Sequence, residues 1–289
     1  MTTMFALATA LLWGFADFGG GLLTRRLPGL TVVVASQTLA VLVLGVIVLA
    51  TGAWSEAGPK LWFAVAAGLV GPIAMLAFYK ALALGPMGVV SPVAALGGVS
   101  VPIGVGLALG ERPGAGQLTG IAIAVLGIVL ASGPEIGGAT VQRQTLGLTL
   151  LAAFGFGAVM AFIAEAATTL TGLFLALFVQ RVTNVLAGGT ALWVSARRGN
   201  PVLPEGDGRA VLRAALPALA FVGLADVAAN GTYAIAAQHG PVTVAAVLAS
   251  LYPVITALAA RGVLKERMRG IQAAGAGLAM AGTVLLAAG

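Results

Sequence analysis

Long apolar runs, broken by glycine, proline or clustered charge, recur near 3–24, 30–51, 61–84, 87–109, 115–133, 146–168, 172–195, 214–237, 241–263 and 270–288 of the 289-residue chain. A helix needs about 20 apolar residues to cross a bilayer core, so each run has the length of a transmembrane helix rather than of a β-strand. Ten such spans leave room only for short connections. Gly85-Pro86 and Gly240-Pro241 turn the chain between spans without a polar loop. The longest polar stretch, 196–213, carries Arg197, Arg198, Glu205, Asp207, Arg209 and Arg213 and reads as a loop. No cationic segment precedes the first run, which is too long for a signal-peptide core and is read as a retained helix.

Residues 85–130 align without a gap on residues 240–285, with identities that include Gly85/Gly240, Pro86/Pro241, Leu109/Leu264, Glu111/Glu266, Arg112/Arg267, Gln117/Gln272, Gly120/Gly275 and Gly127/Gly282. Weaker echoes pair Trp13-Gly14-Phe15 with Phe154-Gly155-Phe156, and Gln37 with Gln180. The chain is a duplication. Residues 1–133 form one five-helix repeat, 134–145 a connecting loop, and 146–289 the second repeat. Five is odd, so the second repeat enters the membrane the other way up. The fold class expected is all-α and integral to the membrane, ten transmembrane helices arranged as two inverted five-helix repeats.

Composition removes the alternatives. The chain is 60% hydrophobic and 8% charged, with a mean hydropathy of +1.06; soluble domains carry about a quarter charged residues. The absence of cysteine excludes disulfides and thiolate centres, and one histidine offers little for a metal site, so no metal and no cofactor are expected. The net charge of +6 lies in short turns, where the positive-inside rule accounts for it without nucleic acid. Turns after the first, fifth, seventh and ninth spans hold Arg25, Arg26, Arg143, Arg197, Arg198, Arg209, Arg213, Lys265, Arg267 and Arg269, against Lys60 and Arg112 on the other side. That asymmetry places both termini away from the cytoplasm. A multi-pass protein of the cell's inner (plasma) membrane, monomeric or homodimeric and in contact with lipid, is the expectation.

The string Leu11-Leu12-Trp13-Gly14-Phe15, with Leu109-Gly110-Glu111-Arg112 before Gln117 and Gly120, and Leu264-Lys265-Glu266-Arg267 before Gln272 and Gly275, resembles the EamA-like families of the drug/metabolite transporter superfamily. The resemblance spans both halves. It implies two inverted five-helix bundles around a central substrate cavity, and transport of amino acids, nucleobases, vitamins or drugs, often as export. Where the second helix of such proteins often carries an arginine, this chain has Gln37 in the first half and Arg181, beside Gln180, in the second. The segment Ala16-Asp17-Phe18-Gly19-Gly20-Gly21-Leu22-Leu23-Thr24-Arg25 is also similar to the first helix of the small multidrug-resistance proteins. That similarity implies a carboxylate at Asp17 that binds protons and cationic drugs in alternation.

An ionisable side chain at a helix centre costs at least about 2.5–3.5 kcal/mol, so each one inside a span needs a partner or a water-filled cavity. Asp17, Lys80, Glu165, Arg181 and Asp226 meet that description, Lys80 and Glu165 near enough to span ends to reach an interface. In the first span Thr9, Trp13, Asp17, Gly20 and Thr24 recur at helical spacing and share one face. Asp17 either takes a proton and a cation in turn or pairs with Lys80 or Arg181 to lock the bundle. In the eighth span Gly223, Asp226, Asn230 and Tyr233 form a second stripe, suited either to orienting a small polar molecule or to interhelical hydrogen bonds. Gln180 and Asn184 share a face beside Arg181, whose guanidinium serves an anionic group or, the favoured reading, pairs with Glu165. Ser91, Ser100, Tyr79 and Tyr252 are lesser cavity candidates, and His239 reads as an interfacial residue.

The reading is a secondary transporter that exports a small metabolite, amino acid or cationic compound in exchange for protons by alternating access. Asp17 is the proton-coupling carboxylate; Trp13, Tyr79, Arg181, Asn184, Asp226, Asn230 and Tyr233 bind substrate. A proton-independent uniporter or exchanger, and a non-transporting scaffold, are the alternatives. No ATP-binding motif is present, and an intramembrane enzyme lacks its nucleophile: there is no cysteine and no Gly-x-Ser-Gly or Gly-x-Gly-Asp within a span.

Overall fold

The computed structural model describes residues 1–95, 114–131, 142–167, 169–204, 206–239, 248–249, 251–265 and 270–288. The repeated Glu-Arg turns, the Gly240-Pro241 junction, Ser100, Glu205 and most of the 134–145 connection lie outside the described residues. The described residues are helical with short turns. In order they form α1 (Thr2–Thr24), α2 (Gly29–Thr51), a short 3-10 turn (Ala53–Glu56), α3 (Leu61–Leu84), α4 (Met87–Ala95), α5 (Ala115–Ala131), α6 (Arg143–Ala166), α7 (Leu170–Arg197), α8 (Gly208–Gln238), α9 (Tyr252–Leu264) and α10 (Gly270–Ala288). Six of them, α1, α2, α3, α6, α7 and α8, are long and apolar enough to cross a membrane. Helices satisfy this requirement because hydrocarbon offers no partner for backbone polar groups, which must bond within the segment.

Local chemistry sets the ends. Gly52 closes α2 in the left-handed region at φ 66°, where a Cβ would be strained. Thr169 caps α7 by accepting from the Gly172 amide at 3.0 Å, and Asp207 caps α8 by accepting from Ala210 at 3.0 Å. That second cap corrects the expected loop over 196–213. α7 runs on to Arg197 and α8 starts at Gly208, so Arg209 and Arg213 belong to a polar helical turn rather than to a connection. Periodicity of apolar residues marks only the membrane-embedded part of a helix, whereas the cap decides where it starts. α9 starts at Tyr252, and Pro253 stands in its first turn, where its missing N–H is not needed. Pro72 and Pro217 do lie inside helices.

Most of the larger helix pairings, though not that of α1 with α3, follow a rule of exchange. α1 packs along α8 and α3 along α6; α3 crosses α7 and α8 crosses α2; α1 meets α9 and α6 meets α4. α2 pairs with α7, α4 with α9 and α5 with α10. Replace each helix by the one five places along the chain, and every one of these pairings maps onto another or onto itself. The core these contacts enclose includes Phe18, Phe78, Tyr79, Leu82, Met87 and Leu219, while Leu42, Val46, Leu49, Ile73, Phe154 and Leu186 face outward. An apolar outer face of this kind is what lipid requires and water forbids.

Candidate substrate and ion-coupling site

The polar residues of the spans converge on one region, where α1, α3, α7, α8 and α9 meet. Arg181 on α7 is buried to 8% exposure and donates from Nη2 to Asp226 Oδ2 on α8 in a salt bridge. Asn230, one turn along α8, donates from Nδ2 to the Asp226 carbonyl at 2.7 Å and reaches the carboxylate Oδ1 at 3.5 Å. A guanidinium and a carboxylate taken from water are tolerated only with such partners. Arg181 therefore pairs with Asp226, which corrects the expected pairing with Glu165. Glu165 is exposed near the end of α6, where its charge reaches water, so it has no need of Arg181. Lys80 is exposed as well, near the far end of α3, and does not pair with Asp17.

Asp17 on α1 is half-buried and lies within the electrostatic reach of Asp226, Tyr79 and Tyr252. Among the described residues it makes no salt bridge. Tyr79 on α3 is 3% exposed and feels the charges of Asp17, Asp226 and Arg181 together. Two glycines of α1 make this geometry possible. A Cβ on Gly20 would fall 2.4 Å from Tyr79 Cζ, and one on Gly14 would fall 2.8 Å from the Tyr252 carbonyl oxygen. Without them, neither tyrosine could come so close to the helix that carries Asp17. Trp13, one turn from Asp17, then contacts Tyr233 at 6.1 Å in a tilted arrangement and Tyr252 at 5.9 Å edge-on.

Not every expected residue joins this cluster. Asn184 is 1% exposed and turns toward α3: a Cβ on Gly71 would lie 2.8 Å from its Nδ2 and 3.3 Å from Gln180 Nε2. Its amide, both amide atoms of Gln37 and Gln180 Oε1 find no hydrogen-bond partner among the described residues. Thr9 and Thr24, on the polar face of α1, serve packing instead. Thr9 bonds Thr232 at 2.8 Å across to α8, and Thr24 donates to its own helix at Gly20. Gly223, on the α8 stripe, presses on α2, where a Cβ would meet the Ser36 carbonyl at 2.3 Å. Ser91 is buried in α4, and His239 is exposed at the end of α8, beside Phe5. Tyr252 is the residue that spacing undervalued. The signal was available: the chain has three tyrosines, all inside predicted spans, and all three lie against α1, at Gly20, Gly14 and Trp13. Among the described residues no three metal-ligating side chains cluster.

A multi-pass helical bundle whose few charges gather at its centre is the architecture of a membrane transport protein. The sequence profile of the EamA-like transporter family matches residues 1–133 and 144–288, and the chain belongs to that family. It is thus a membrane transporter of the drug/metabolite type with the family's two-repeat organisation, a class of transporters rather than enzymes. No curated protein matches the chain. A solved crystal structure is similar over 98% of this chain and 95% of its own, with a TM-score of 0.63 at 18% identity, a likeness of fold.

Proposed function

We propose that the protein is a secondary active transporter of ten membrane-crossing helices in two inverted repeats. It exports a small metabolite, amino acid or cationic compound from the cell across the inner (plasma) membrane, in exchange for protons. The exchange rule in helix packing supports the paired repeats, and an odd helix number per repeat supports their inversion. The basic end of the bundle, with Arg25, Arg26, Arg197, Arg198, Arg209 and Arg213, supports a cytoplasmic assignment for the turns after α1 and α7.

One observation carries the mechanism: the charge of Arg181 is matched by Asp226, whereas Asp17 is unmatched among the described residues. Two of the three central charges cancel. The ionised site therefore carries one net negative charge, and either a proton or a cationic group neutralises it, not both together. Trp13, Tyr233 and Tyr252 supply aromatic faces to a cation beside that carboxylate. Tyr79, Arg181, Asp226 and Asn230 supply polar contacts for orientation. Asn184, turned toward Gly71 of α3 with its amide unpartnered among the described residues, supplies a further polar contact for substrate. Alternating access then follows from a ligand site whose occupancy by proton or substrate favours different arrangements of the repeats.

Asp17→Asn, reconstituted in proteoliposomes, is expected to lose substrate uptake driven by a pH gradient while inserting at wild-type levels. Wild-type proton-driven uptake by that variant overturns the assignment. A proton-independent exchanger that binds a zwitterion between Asp17 and Arg181 is the competing reading, since Tyr79 lies within the electrostatic reach of both. It predicts substrate movement in sealed vesicles without any accompanying pH change.

A further inference from the structure

A second cavity lies away from this site, at the basic end of the bundle. It measures about 360 Å³ and opens between the first turn of α2, the last turns of α3 and α7, and the loop after α7. Gly29, Leu76, Lys80, Leu192, Ser195 and Val202 are among its walls. We infer that this pocket holds the headgroup of an anionic phospholipid.

The chemistry is layered. Lys80 is exposed, and its stem runs beside α2, with Cγ 3.9 Å from where a Cβ of Gly29 would stand. A lysine there puts an ammonium at the mouth of the pocket while its methylenes cover apolar wall. The first turn of α2 has no side-chain cap, and Pro28 precedes it, so the leading N–H groups of a 23-residue helix point toward the cavity end of the bundle. Ser195 adds a hydroxyl. Leu30, Leu76 and Leu192 form the remaining wall, which suits the glycerol and upper acyl region of an amphiphile and offers nothing to a free phosphate ion. Thr31 donates to the Val202 carbonyl and so fastens the loop that closes the far side.

The surroundings match. Arg25 and Arg26 precede α2, and Arg197 and Arg198 end α7, while the acid Asp207 at this end is engaged in capping α8. Trp193 is 58% exposed with Arg197 stacked over it at 4.8 Å, a pairing suited to the headgroup level. Basic pockets between transmembrane helices on the cytoplasmic side suit acidic headgroups, each nearby lysine or arginine contributing to attraction.

The test uses the full-length protein in detergent, titrated with phosphatidylglycerol or phosphatidylcholine and read by native mass spectrometry and thermal unfolding. The wild type is expected to retain and be stabilised by phosphatidylglycerol over phosphatidylcholine. Lys80→Gln is expected to weaken that retention roughly five-fold, and Lys80→Arg to restore it. Ser195→Trp, which fills the cavity without changing charge, is expected to abolish the preference; Lys60→Gln, at the opposite end, to leave it intact. Equal retention by wild type, Lys80→Gln and Ser195→Trp overturns the inference. So does competition by soluble glycerol phosphate at the concentrations where the lipid binds, which would mark a free-phosphate site. Because lipid retention needs no transport, failure here is distinguishable from failure of the proton-exchange reading.

Discussion

The two halves of this protein are packed alike and charged differently. In the first half, Gly68 of α3 rests on α7, its missing Cβ 2.5 Å from the Gln180 carbonyl; in the second, Gly223 of α8 rests on α2 in the same way, 2.3 Å from the Ser36 carbonyl. Three residues further along each helix the likeness ends. Gly71 faces the amides of Gln180 and Asn184, whereas Asp226 binds the guanidinium of Arg181. Duplication preserved the contacts that let helices approach and left the polar positions free to diverge. Backbone against backbone leaves no slack, while a position facing a polar interior accepts any residue whose charge is matched.

The sharpest way to break the comparison is Asp226→Ala, which strands the Arg181 guanidinium. Its expected cost is about 3–5 kcal/mol in detergent unfolding. The double variant Arg181→Met/Asp226→Leu is expected to recover most of that loss. If the single and double variants are equally destabilised, the pair is not the reason these charges coexist.

The shared feature is tested next. Gly223→Ala and Gly68→Ala are each expected to cost about 1–3 kcal/mol, because the obstructing atom is a carbonyl oxygen that cannot move without its helix. Similar losses in the two halves sustain the packing equivalence; a loss in one half only removes it. Gly71→Ala sharpens the contrast. Its Cβ would meet the mobile end of Asn184, so the expected loss is about 1 kcal/mol or less, clearly below that of Gly68→Ala. Smallest of all, Thr9→Val removes the 2.8 Å bond to Thr232 between α1 and α8, expected at about 0.6 kcal/mol, as for hydrogen bonds between membrane helices generally. A transport defect from Thr9→Val at unchanged stability would reassign Thr9 from packing to the site.

Much of this was readable from residues in order. Apolar length marked the six helices long enough to cross a membrane, because bilayer thickness is a constant that each must meet. Asp17, Arg181 and Asp226 stood out because a stranded charge inside such a span has few explanations. Trp13 and Tyr233 were placed on the polar stripes of the first and eighth spans by helical spacing alone.

Partner choice was not readable. Spacing along the chain favoured Glu165 as the partner of Arg181, and only the packing of both α7 and α8 against α2 brought Asp226 to the guanidinium instead. The packing of α7 on α3 turned Asn184 toward Gly71, although it lies three residues from Arg181. Tyr252 entered the site through Gly14, a residue 238 positions away in the chain. The sequence by itself determined the membrane class, the duplication and the short roster of charges that a lipid-embedded chain must account for. The tertiary structure alone decided which charges neutralise each other and which one, Asp17, is left over among the described residues. Hydrophobic length is a property of each helix taken singly, while charge pairing depends on the relative rotation of several.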